Sequence, residues 1–353
     1  MKILFIACKY DYGNPELGFS FEYYNFYDSL VKMNNGGHRV ILFPFDEVFL
    51  EHGRESMNEK LLETVEHEKP DLCFFFLFGK YIKKETVKKI TDSKKTVTLN
   101  WFADDKWRFE NFSKYWTPLF NWVSTDQLSS LKNYEKIGYK NVLVGGWGCN
   151  HHLYKPMDLP KIYDVTFVGQ PHGDRKKIVN QIKKEGINIT CFGRGWPNGK
   201  VSQEEMIKIF NQSKINLNFA KSSGSFGIKN WIKLFISKNE HGSLRFNNPL
   251  QWIPNFKSLL DQQKNEIKGR NFEIPGCGSF LLTDYAEGLE HFYEIGKEVV
   301  CYDGKKDLIK KIQYYLINEI EREKIAKAGY YRTVKDYTYE KKFNDVFKII
   351  NGI

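Results

Sequence analysis

The sequence predicts an α/β protein built from two Rossmann-like, doubly wound domains in tandem, and three observations carry that prediction. Short apolar runs of strand character alternate with helical stretches along most of the chain. The alternation is interrupted near residues 148–160 by a polar, proline-containing passage suited to an interdomain connection, and then begins again. At 353 residues the chain has the length of about two domains of roughly 100–200 residues each.

In the first series the pattern predicts strands at Ile3–Cys8, Arg39–Phe45, Leu72–Phe78, Thr96–Trp101, Leu119–Val123 and Val142–Gly145. Helices are expected near Phe19–Met33, Met57–Glu66, Lys83–Ile90 and Asp126–Ile137. The second series predicts strands at Val165–Gly169, Ile187–Phe192, Ile215–Phe219, Ser279–Thr283 and Glu298–Tyr302. Its helices fall near Asp174–Glu185, Ser202–Gln212, Arg270–Pro275, Lys306–Tyr315, Glu319–Ala328 and Tyr339–Ile350. The expected domains are 1–157 and 158–335, with a C-terminal helix over 336–353 crossing back to the first. Ligand is expected in a cleft between the carboxyl ends of the two sheets.

Apolar residues at 41 % and charged residues at 27 % exclude wholesale disorder. The longest apolar run, Leu72–Phe78, is far short of the ~20 residues of a membrane helix, so a soluble protein is expected. Six scattered cysteines without C-x-x-C spacing predict free thiols in a reducing cytoplasm, not a zinc cluster or disulfide framework. The net charge of +10 points toward anionic partners. Residues 221–270 hold nine Lys and Arg against three Asp and Glu, more than half of that excess. Within them, Ser222–Gln263 reads as a long loop with Phe226, Trp231, Phe235, Phe246, Trp252 and Phe256 interleaved.

The first strand is followed by Lys9 to Gly18, which contains no G-x-G-x-x-G, and no G-x-x-x-x-G-K-[ST] occurs anywhere; nicotinamide-dependent oxidoreductases and P-loop nucleotidases are excluded. The strongest local signal runs from Lys268 to Asp284. Two cations, Lys268 and Arg270, precede a helix start, and small residues follow, so a diphosphate would meet both charge and backbone N–H groups, with Glu273 accepting sugar or ribose hydroxyls. An ordinary helix cap with a glycine turn fits the same residues.

The run from Arg270 to Asp284, R-x-F-E-x-x-x-C-G-x-x-x-L-T-D, continues through Leu289–Tyr302 and Leu308–Leu316 and closely resembles the CgeB-like glycosyltransferases. Asp164–Gln170 with Arg175, and Ser213–Phe219, agree with the same family, so that the likeness spans most of 160–345. Gly37-His38-Arg39-Val40 and the Gly148–Pro156 passage are more loosely similar to GT-B enzymes. The resemblance implies the GT-B fold, two Rossmann-like domains facing across a cleft, and glycosyl transfer from a nucleotide-diphosphate sugar, UDP-sugar favoured, bound chiefly by the C-terminal domain. Glu273 falls where retaining members carry the second glutamate of E-x7-E, on the ribose; the first position holds Asn265.

Resemblance and charge together assign Lys268 and Arg270 to the diphosphate and Gly169 and Gly278 to close-approach turns. Phe192 and Gly193, with Arg194, lie where GT-B enzymes commonly hold the nucleobase, though an ordinary strand–turn reads the same way. For acid/base chemistry the candidates are Asp104 and Asp105, after the fourth expected strand, and Glu22, early in the first helix. The aspartates equally suit an Asx turn and helix cap, and Glu22 suits the helix dipole. With no D-x-D present, neither metal nor other cofactor is expected; His151-His152 reads as solvated linker.

The expected partner is the nucleotide-sugar donor, with DNA or another polyanion as acceptor side. Lysines on phosphates and aromatics on bases would suit transfer to a hydroxylated DNA base by way of 221–270. The same composition suits peripheral contact with an anionic membrane or a surface excursion padding its own core. Protein, glycan and lipid acceptors also stay open. The opposing reading is a non-catalytic GT-B-like binding protein; Glu273, Lys268 and Arg270 together favour an enzyme.

Overall fold

The computed structural model describes residues 1–77, 79, 81–221, 228–238 and 244–351. Phe78, Phe226 and the 222–227 and 239–243 passages of the expected long loop lie outside them. The chain divides into two compact units: unit 1, Met1–Gly146 with the C-terminal helix, and unit 2, Trp147–Thr338.

In unit 1, β1 (Lys2–Ala7), β2 (Arg39–Pro44), β3 (Leu72–Phe75), β4 (Val97–Phe102), β5 (Trp122–Thr125) and β6 (Val142–Val144) form one sheet in the order β2-β1-β3-β4-β5-β6. Every pairing is parallel, with Ile3 opposite Val40 on one side and Leu72 on the other. Ile3–Ala7 and all of β3 are buried, as strands covered on both faces must be. The chain leaves β1 for β2 on one side and returns to β3 on the other, which opens a crevice at the carboxyl ends of β1 and β3.

The second helical stretch is longer than expected, Phe45–Glu68, because a helical segment precedes Gly53. Gly53 breaks it with φ 77°, a left-handed value that favours glycine. The C-terminal helix Tyr339–Asn351 is part of unit 1's core. Tyr339, Phe343 and Phe347, four residues apart, form one buried stripe. Phe343 packs on Phe26 and Trp101 with ring centroids 5.4 and 5.9 Å away, and Phe347 reaches Phe74.

Unit 2 begins its sheet with β7 (Tyr163–Val168), β8 (Ile189–Phe192) and β9 (Ser213–Asn218). An excursion follows, carrying the helix Ile228–Phe235, β10 (Ile236–Lys238), β11 (Leu244–Phe246) and the helix Trp252–Asp261. Then come the helix Arg270–Gly276, β12 (Leu281–Asp284) and β13 (Val300–Tyr302). The parallel sheet has the order β13-β12-β9-β7-β8, with its switch point between β7 and β9. β10 and β11 pair with each other as an antiparallel hairpin. The excursion is thus folded; Pro254 does not prevent its second helix, since it sits in the first turn where no intrahelical N–H is needed.

All six cysteines are buried and free. Among the described residues no helix is long and apolar enough to cross a membrane.

Candidate active site

At the carboxyl end of β1 in unit 1, the backbone N–H groups of Lys9 and Tyr10 both donate to the Asp46 carboxylate, at 2.8 and 2.9 Å. The Ser20 hydroxyl donates to the Cys8 carbonyl at 2.7 Å and accepts from the Tyr23 N–H at 3.0 Å. This fixes the first turn of the following helix, which carries Glu22. Burial pushes the Glu22 carboxyl up to about 7; hydrogen bonds from its own backbone and from Ser20 oppose that, and the charges of Asp11 and Asp46 add to it. A group poised near neutrality is suited to accept a proton from a hydroxyl.

The paired aspartates divide in role. Asp105 is wholly buried, takes the Tyr134 hydroxyl at 2.6 Å and is held above the ordinary carboxylate range by burial. Its carboxyl has no exposed surface and is turned into the interior of unit 1. Asp104 has left-handed φ 56° and is half-buried. Neither caps its helix through its own side chain. The cap comes from Asp126, whose two oxygens accept the N–H groups of Asp104 and Asp105 at 2.8 and 2.9 Å. Arg108 is buried beside these acids. Burial lowers its affinity for a proton, and Asp104, Asp105, Asp126 and Glu22 oppose that only in part. Its guanidinium lies 4.2 Å from the centre of the Phe112 ring.

In unit 2 a cavity of about 640 Å³ opens at the carboxyl ends of β9, β12 and β13, within the range of small-molecule sites. Its wall includes Arg175, Lys221, Asn265, Asp284, Tyr302 and Lys305. Arg175, first residue of the helix Arg175–Lys184, sets its guanidinium against the packed pair of Phe167 and Phe219 rings, 5.5 and 5.7 Å from their centres. Its guanidinium donates to the carbonyls of Gln170, Phe219 and Lys221 at 2.9, 3.3 and 3.0 Å. Burial lowers its proton affinity, and Asp284 is the main charge opposing that. Burial pushes Asp284 itself up to about 6, while the Ala220 N–H that donates to it, and Arg175, pull it back. Lys221 and Asn265 form an antiparallel bridge, so both feet of the 222–264 excursion stand on this wall.

The other predicted donor residues fall into two groups. Gly169, Phe192 and Gly193 come together where β7 and β8 end. The Gly169 N–H donates to Phe192 at 2.9 Å and the Trp196 indole donates to the Gly169 carbonyl at 2.8 Å. Gly193 has φ +129°, and a Cβ there would run into that same carbonyl. Lys268, Arg270 and Glu273 do not line the cavity. Lys268 pairs with the buried Glu266 at 2.6 Å, and Arg270 pairs one turn along its helix with the fully buried Glu273. The second Glu273 oxygen has no hydrogen-bond partner among the described residues. Gly278 (φ +66°) turns the chain at the amino end of β12, beside Pro156 and opposite the end that bears the cavity.

The sequence reading gives no donor-site or catalytic role to Arg175, Asp126, Lys221, Asp284, Tyr302 or Lys305. Asp284 and Tyr302 each end a strand at the cavity, and that position was the available signal.

Residues 175–348 match the family model described as glycosyl transferase-like. The spore protein CgeB of Bacillus subtilis (strain 168) is 22 % identical over 244 residues, covering 68 % of this chain and 71 % of that protein. Among solved structures, Anabaena HepE in complex with UDP-glucose superposes with a TM-score of 0.62 at 12 % identity over all of both chains. Sucrose-phosphate synthase of Thermosynechococcus elongatus gives 0.62 at 10 % identity over 100 % of this chain and 98 % of its own. The family match and the sequence relative support a CgeB-like glycosyltransferase, and the two parallel sheets with these structural neighbours give the GT-B fold.

Proposed function

We propose that the protein transfers a glycosyl group from a UDP-sugar to an acceptor hydroxyl, and that the unit 2 cavity receives the donor. The observation that carries this is the cavity itself: it lies at the carboxyl ends of the strands, beside the switch point, with Arg175, Lys221 and Lys305 on its wall. Bond cleavage leaves negative charge on the departing nucleoside diphosphate, and cations preset around it lower the barrier. The uridine diphosphate choice is supported by the fold neighbour HepE, whose structures are complexes with UDP-glucose and with UDP.

Gly169, Phe192 and Gly193 form the adjoining strand-end turn offered to the base. Arg270 and Lys268 are already paired with buried carboxylates, so Glu273 serves here to hold Arg270 in place; a ribose hydroxyl would reach it only if it were uncovered. Gly278 is given no phosphate role. In unit 1, Glu22 takes the acceptor proton, Asp104 and Arg108 set the charge around it, and Asp105 fixes the loop. The six buried thiols fit the reducing cytoplasm in which such donors are made.

A hydroxylated DNA base as acceptor rests on composition alone. The aliphatic side chains exposed on the same excursion give nucleic acid nothing to bind, and they turn the reading elsewhere. The test is a panel of UDP-, GDP-, dTDP- and CMP-linked sugars, followed by thermal shift and slow donor hydrolysis. Stabilisation by a UDP-sugar, lost in Arg175→Met, is expected; stabilisation by none of them overturns the proposal.

A further inference from the structure

The excursion between the two feet of the cavity wall is a small folded body with its own interior. Leu234 and Leu259 are buried between its helices, and Asn247 ties them together by donating to the Leu234 carbonyl at 3.0 Å while accepting from the Trp252 indole at 3.2 Å. Trp231 packs on Phe256 and Phe235 on Trp252, at 6.0 and 5.0 Å.

Its outer surface is apolar to a degree that folding does not explain. Phe246 is 82 % exposed, Leu250 83 %, Leu244 72 % and Ile253 71 %, with Trp231, Ile232, Trp252 and Leu260 also exposed. Clustered exposure on this scale marks an interaction surface. Its sequence is basic on balance: between 228 and 261 there are five Lys and Arg against two Asp and Glu.

We propose that residues 228–238 and 244–261 dock the enzyme on an anionic lipid surface. Exposed aromatic and aliphatic side chains in a segment whose sequence is basic on balance are what an anionic headgroup–acyl boundary accepts, the apolar groups entering it and the excess positive charge meeting lipid phosphates. Nucleic acid would satisfy the lysines and some rings but leave Leu244, Leu250 and Ile253 in water. A second copy of the chain would bring the same positive charge against itself. Because the feet of the body, Lys221 and Asn265, line the cavity, docking brings that cavity to the lipid surface. The docking surface stands apart from the donor assignment, and the test below requires no turnover.

The purified chain is sedimented with vesicles of phosphatidylcholine alone and of phosphatidylcholine mixed with phosphatidylglycerol, while tryptophan emission is followed. Retention on the mixed vesicles with a blue shift is expected, weakened by salt and at least roughly tenfold weaker in a Phe246→Ser, Leu250→Ser, Ile253→Ser variant. These side chains are exposed, so the variant should keep the circular dichroism and donor-induced stabilisation of the parent. No retention on either vesicle, or equal retention of the variant, overturns the proposal. So does binding to duplex or single-stranded DNA that depends on the same three residues while vesicles are ignored.

Discussion

Replacing Glu22 by glutamine should make unit 1 more stable, and only toward alkaline pH. An ordinary glutamate titrates near 4.5, whereas burial pushes Glu22 up to about 7. Between those values the native protein holds a proton that the unfolded chain has released, so stability falls as pH rises through the window and levels off above it. At about 1.4 kcal/mol per tenfold step, the cost at about pH 8 approaches ~3 kcal/mol. Glutamine has the shape of the protonated form and carries no such cost. The assay is urea unfolding of wild type and Glu22→Gln at two pH values, read by tryptophan fluorescence. The curves should differ by less than about 1 kcal/mol at about pH 5 and separate in favour of the variant by up to ~3 kcal/mol at about pH 8. Other titrating groups are common to both proteins and cancel in the difference. An equal difference at both pH values, or a variant less stable at the higher one, would refute the buried, proton-holding Glu22.

Turnover should move the other way: kcat/KM of the wild type rises through a limb near 7, and Glu22→Gln loses the limb along with roughly 10²–10⁴ in rate, as expected for a general base. Arg175→Met should weaken donor binding by about ten- to a hundredfold by calorimetry, the loss of one or two charge-assisted hydrogen bonds. Arg270→Ala strands the fully buried Glu273 and should cost about 3–5 kcal/mol in urea unfolding; a change near zero would show that the pair is not formed. Phe343→Ala opens the aromatic cluster beneath the C-terminal helix and should cost about 3–5 kcal/mol, confined to the transition of unit 1.

The strands were the legible part of the fold because their signal is local. Runs such as Ile3–Ala7 and Leu72–Phe75 are apolar throughout and buried on both faces, a pattern that survives without tertiary information. The 222–264 excursion reads as a loop because its apolar residues lie on both sides of its helices: Leu234 and Leu259 face inward while Ile253 and Leu260 face water, which blurs the periodicity a helix would show. The long first-domain helix was foreshortened because Gly53 interrupts it.

The site was legible as positions more than as partners. Strand ends and glycines mark where Gly169, Gly193 and Glu22 would lie. That Asp126 caps the turn of Asp104 and Asp105 from 22 residues away, or that Glu266 and Glu273 already occupy Lys268 and Arg270, depends on contacts across the fold that no local spacing encodes. Likewise Lys221 and Asn265 are far apart in sequence, and only their bridge brings both to one wall.

A calorimetric titration of the full chain with UDP tests the central claim most directly. One site of measurable affinity in the wild type, weakened at least roughly tenfold in Arg175→Met while Arg194→Met binds more nearly as the parent does, is the predicted result. Binding that ignores Arg175, or no binding at all, would contradict the assignment of the unit 2 cavity to the donor.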